Sequence, residues 1–79
     1  MPCVNPDGTL SPSGQEMLKA VAAGQSATAT EVVTTTRLPL FRVRAGLREL
    51  TKAGLLEYDD SDERFSPTTW GLERVESES

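Results

Sequence analysis

A mainly α domain carrying a small β-hairpin, with three helices sharing one core, is the fold class that this sequence predicts. Three observations predict it. Apolar residues recur at helical spacing in three separate stretches, each preceded by serine, threonine or proline, and the first and third are closed by glycine. Leu55 to Tyr58 and Arg64 to Ser66 read as strands on either side of the polar tip Asp59-Asp60-Ser61-Asp62-Glu63. A chain of 79 residues buries only about 60% of its unfolded surface, which supports one core and not two.

Residues 1–10 are expected to form a turn segment. In Asn5-Pro6-Asp7-Gly8 the proline presets φ and the glycine accepts the left-handed conformation that closes a turn. Val4 and Leu10 flank it, either pairing as a very short hairpin or packing onto the first helix. The first helix has two candidate starts, Ser11 as N-cap with Pro12 at the first helical position, or Ser13 as N-cap with Glu16 completing a capping box. Met17, Leu18, Val21 and Ala22 form its buried stripe and Gly24 ends it. Residues 25–27 leave room for one short extended link.

Thr28-Ala29-Thr30-Glu31 is a second capping box and opens a short helix through about Thr36, where the threonine run loses rotamer freedom in helical geometry. Pro39 suits the first position of the third helix and biases Leu38 away from helical angles. That helix spans about 39–53, with Val43, Leu47 and Leu50 inward and Gly54 at the left-handed C-cap. After the hairpin, Ser66-Pro67-Thr68-Thr69 opens another helical stretch through Trp70, Gly71, Leu72 and Val75. Trp70 is expected to cover the core, and residues 76–79 to be a disordered tail.

Charge is distributed unevenly. Residues 37–52 hold Arg37, Arg42, Arg44, Arg48 and Lys52 against Glu49 alone, a local excess of +4, whereas the whole chain carries −4. An acidic domain repels phosphate overall, so a basic helix on it marks one face.

This order of elements resembles the winged helix-turn-helix. Leu38-Pro39, Arg42-Val43-Arg44 and Leu47-Arg48-Glu49-Leu50-Thr51-Lys52-Ala53-Gly54-Leu55-Leu56 resemble the recognition helix and exit strand of ArsR-like and MarR-like regulators of bacteria and archaea. Phe65-Ser66-Pro67-Thr68-Thr69-Trp70-Gly71 is similar to the stretch that closes the wing in those families. The resemblance covers about residues 11–75, taken as the domain. Pro67 departs from the usual aliphatic residue and has no amide to donate, which leaves the length of the second wing strand open.

The resemblance implies a prokaryotic-type transcription regulator that inserts the third helix in the major groove of double-stranded DNA. At about 100° per residue, Phe41, Ala45, Arg48 and Lys52 lie opposite the buried stripe, with Arg37 and Arg44 on one flank. Arg44 and Arg48 are the candidates for guanine contacts, because a guanidinium can bond O6 and N7 together. Phe41 and Ala45 suit thymine methyls; Arg37 and Lys52 suit phosphates. Arg42 lies toward Glu49 and is either neutralised there or on the DNA backbone. Arg64 beside the wing is a phosphate or minor-groove candidate, opposed by its acidic neighbours.

A solvated basic face is the plain alternative. A second function is a winged-helix protein-interaction module or adaptor without DNA binding, favoured by the acidic wing, exposed Phe41 and low isoelectric point. An enzyme is not expected: there is no histidine, no phosphate-binding glycine loop and no nucleophile with an evident base. Cys3, the one cysteine, reads as a free thiol, so no cofactor or zinc site is expected. No apolar run approaches the roughly 20 residues of a membrane span, and a cytoplasmic location is expected. Without long terminal helices, a monomer or a weak homodimer through Trp70, Leu72 and Val75 is expected.

Overall fold

The computed structural model describes residues 10–78. The turn expected at Asn5 to Gly8, with Val4 and Cys3, lies outside the described residues. Ser11 decides the start of α1 (Pro12–Ala23): its hydroxyl accepts from the Gly14 amide at 3.1 Å, and Pro12, with no amide to satisfy, takes the first helical position. The alternative cap at Ser13 is therefore not used. Met17, Leu18 and Val21 are fully inside, while Ala22 is only half-buried at the edge of the stripe.

The capping box of α2 (Ala29–Thr36) forms as read. Thr28 Oγ1 accepts from the Glu31 amide at 3.1 Å, and Glu31 Oε1 accepts from the Thr28 amide at 2.9 Å. Thr34, Thr35 and Thr36 each donate a hydroxyl hydrogen bond to the carbonyl four residues back, which satisfies these groups without extending the helix. Arg37 then turns the chain in the left-handed region, φ 63°, its amide reaching Val33 O at 2.7 Å. Side chains other than glycine pay about 1–2 kcal/mol there.

Pro39 is the N-cap of α3 (Leu40–Lys52) and not its first residue. Its ψ of 146° is extended, and its carbonyl accepts from the amides of Arg42 and Val43, both at 3.0 Å. Val43, Leu47 and Leu50 are completely buried, joined by Gly46 on the same face. Gly54, φ 83°, follows Ala53 and turns the chain toward the hairpin.

The hairpin pairs β1 (Leu56–Asp59) with β2 (Arg64–Pro67) antiparallel, Leu56 opposite Pro67 and Tyr58 opposite Phe65. Pro67 thus lies within the second strand. Phe65 turns its amide and carbonyl away from β1, exchanging two 2.8 Å hydrogen bonds with Ala27. Two residues on, the Pro67 nitrogen points to that same outer edge, so its missing donor costs β1 no hydrogen bond. Ala27 uses the expected extended link to add a one-residue third strand.

A final helix, α4 (Thr69–Glu78), runs into the stretch expected to be a tail. Glu73, Arg74 and Glu76 are good helix formers, and neither proline nor glycine follows them to stop it. Thr68 caps it, accepting from the Gly71 amide at 3.1 Å while its hydroxyl donates to Gly54 O at 2.6 Å and its amide to Leu55 O at 3.0 Å. Gly71 is buried against Leu55, where any β-carbon would overlap the Leu55 carbonyl oxygen. Helices α1, α2 and α3 close over one aliphatic core that includes Leu10, Leu55 and Leu56, with Phe65 and Val75 packed against it.

Candidate nucleic-acid interface

Core packing fixes which side of α3 meets solvent. With Val43, Gly46, Leu47 and Leu50 inward, Phe41, Arg44, Ala45, Arg48 and Lys52 must project outward, and all five are exposed. Phe41 has 76% of its surface accessible. Leu40, Phe41, Arg44, Ala45 and Arg48 line one shallow depression, so two guanidiniums and an aromatic ring share a patch. Lys52 lies a turn further along the same side, in the last turn of the helix, where its charge suits the negative end of the dipole.

Arg44 and Arg48 also form one wall of an open groove of about 730 Å³ between α3, the start of α2 and the hairpin. Thr28 and Thr30 stand at the α2 side. Tyr58, Phe65, Asp62 and Glu63 complete the hairpin side. Tyr58 and Phe65 brace that wall, their ring centroids 4.8 Å apart with planes tilted by 41°, as facing residues of a pair without hydrogen bonds can be. Sequence spacing alone does not bring the threonines or Tyr58 to this groove. The capping box already places Thr28 and Thr30 at a helix start, but their place at the groove depends on how α2 docks on α3.

The remaining candidates do not share this groove. Arg42 lines a recess of about 340 Å³ on the α1 side of α3 with Ser11, Pro12, Ser13 and Glu49, and Phe41 and Ala45 border that recess as well as the patch of Arg44 and Arg48. Arg37 is exposed at the turn between α2 and α3. Arg64 is directed away from the hairpin tip: its Nε donates to Ser26 Oγ at 3.1 Å and its Nη2 to Glu31 Oε1 at 3.0 Å, which anchors the hairpin on α2.

Trp70 does not cover the core. It is 72% accessible, because the inward position at the start of α4 belongs to Gly71 and the indole beside it is carried outward. Leu72 is also exposed, whereas Val75 packs against the core. Among the described residues, no helix is long and apolar enough to cross a membrane, and no group of three or more His, Cys, Asp or Glu is placed to hold a metal ion.

Neither a protein-family description nor a curated protein matches this sequence. Among solved structures, the chain is similar to BpsR of Bordetella bronchiseptica, in a structure concerned with regulation of that protein's DNA binding by 6-hydroxynicotinic acid. The TM-score is 0.83 and the sequence identity 23%, over 91% of this chain and 55% of the BpsR chain. The chain therefore spans about half the length of that protein. At this identity the likeness establishes the architecture, and the fold is a winged helix-turn-helix.

Proposed function

We propose that residues 11–75 form a DNA-binding transcription regulator, cytoplasmic and non-enzymatic, that inserts α3 in the major groove. One observation carries this reading: Phe41, Arg44, Ala45 and Arg48 occupy a single exposed patch near the start of the second helix of a helix-turn-helix, the part of that motif that reaches base edges. The DNA binding described for BpsR, which shares the fold, supports it. In this reading Arg44 and Arg48 bond guanine edges, Phe41 and Ala45 meet thymine methyls, and Arg37 and Lys52 hold phosphates on either side. Arg42, in the recess with Glu49, is either neutralised there or contacts the DNA backbone in this reading. Arg64 serves chiefly as the hairpin's anchor, since Glu31 takes up its charge.

The test is an amide-shift titration with a short random-sequence duplex at low salt. Shifts concentrated in residues 40–48, abolished by Arg44→Ala with Arg48→Ala, support the proposal; an unperturbed α3 refutes it. The second reading, a protein-interaction module without DNA binding, draws on exposed Trp70 and Leu72 together with the acidic hairpin tip. Recovery of a stoichiometric protein partner that shifts α4 while duplex shifts nothing would favour it.

A further inference from the structure

The groove that holds Arg44 and Arg48 has carboxylates on its opposite wall. Asp62 and Glu63 reach it from the hairpin tip, and among the described residues no ion pair joins them to either arginine. Arg64, the one basic residue between 55 and 68, cannot offset them there, because its guanidinium is bound to Ser26 and Glu31. A phosphate entering the groove would meet two cations at one wall and two anions at the other. The edge of a guanine, which carries partial charges and no formal charge, would meet the same two hydrogen-bonding forks with much less repulsion.

We propose that Asp62 and Glu63 are specificity-determining residues. They weaken the hold of Arg44 and Arg48 on phosphate, and so on DNA of arbitrary sequence, and leave base-edge bonding as the main source of affinity in this groove. The inference rests on the DNA-binding reading above. It assigns the hairpin tip a repulsive role, in which discrimination comes from penalising the wrong contact as well as rewarding the right one.

Replacing Asp62 and Glu63 together by Asn tests this without disturbing the turn. Glu63 sits at φ 54°, a region that asparagine enters readily. Binding of a labelled random-sequence duplex is followed by fluorescence anisotropy over a salt series. The protein is compared with Asp62→Asn/Glu63→Asn, with that variant also carrying Arg44→Ala/Arg48→Ala, and with Glu16→Gln/Glu73→Gln, which removes the same charge from exposed helix positions outside the groove.

The hairpin variant is expected to bind about fivefold more tightly at low salt, the size expected for removing two like charges roughly 8 Å from a phosphate in water. The gain should shrink as salt rises, and neither the arginine-free variant nor the Glu16/Glu73 control should show it. Unchanged affinity in the hairpin variant, or an equal gain in the control or the arginine-free variant, overturns the inference. If the unmodified protein binds through Arg44 and Arg48 while the hairpin variant merely equals it, the DNA-binding reading stands and this inference falls. Absence of duplex binding by every protein overturns both.

Discussion

Glu31 Oε1 accepts two hydrogen bonds at once, from the Thr28 amide at 2.9 Å and from Arg64 Nη2 at 3.0 Å, so one carboxylate both caps α2 and moors the hairpin. Removing it by Glu31→Ala should cost about 1–2 kcal/mol, mostly from the cap. Arg64→Ala should cost under about 1 kcal/mol, because both partners are substantially exposed, at 37% and 53%, and solvent screens the pair. Urea denaturation of both single variants and the double variant checks this, with a coupling energy above zero but below about 1 kcal/mol expected.

Gly71→Ala should be the more damaging change, although it adds one methyl. Its β-carbon would meet backbone, the Leu55 carbonyl oxygen, and not a side chain that can swing aside. A loss of about 1–3 kcal/mol or more is expected. Gly54→Ala, strained by φ 83° but with open space around it, should cost about 1 kcal/mol. Thermal melts of the two variants should rank them in that order.

Arg44→Ala and Arg48→Ala should each reduce affinity for a selected duplex by about tenfold, with base preference relaxed at one position, as for loss of a bidentate guanine contact. Lys52→Ala should weaken all duplexes alike and lower the salt slope by about one. Selection from a randomised duplex pool, followed by salt titration of the winners, separates the two patterns. Equal base preferences in all three variants would remove Arg44 and Arg48 from the reading role.

Arg37→Gly divides stability from binding. Glycine accepts the φ of 63° without a β-carbon clash, so the fold should gain on the order of 0.5–1 kcal/mol. If Arg37 holds a phosphate, the same variant should bind duplex more weakly despite being more stable. Chemical denaturation and anisotropy on one preparation decide it.

Trp70→Ser should leave stability within about 0.5 kcal/mol of the starting protein, because the indole is 72% accessible. In the unsubstituted protein, the fluorescence of Trp70 should resemble that of free tryptophan. If α4 joins two copies of the chain, the substitution should also abolish concentration dependence in sedimentation velocity. A large loss of stability would show that the ring is held in the core after all.

Local physics made much of this architecture legible. Thr28 with Glu31, Pro12 after Ser11, and Gly54 after α3 are signals whose partners lie within a few residues, and the inward stripe of α3 follows from helical geometry. That stripe also places Phe41, Arg44, Ala45 and Arg48 outward. What the sequence hid depends on tertiary docking. The direction of Arg64 requires knowing that the hairpin lies beside α2, and the exposure of Trp70 requires knowing that Gly71 packs against the Leu55 carbonyl. The left-handed turn at Arg37 was hidden for a different reason: nothing about arginine announces that conformation. Trp70 illustrates how hydrophobicity misleads, since it reports what a side chain prefers and not whether its neighbour has already filled the space.

Thr68 links the carbonyls of Gly54 and Leu55 to the first turn of α4, while Phe65 is bonded to Ala27 on the opposite edge of the hairpin. The hairpin is therefore pinned on both sides of β2, and swinging it outward would break the cap of one helix or the anchor at the threshold of another. Those bonds hold the hairpin that forms one wall of the groove facing α3. If α3 enters DNA as proposed, a duplex too broad at that point would have to deform or be refused, so sequence-dependent stiffness of DNA would bear on binding without a contact to every base.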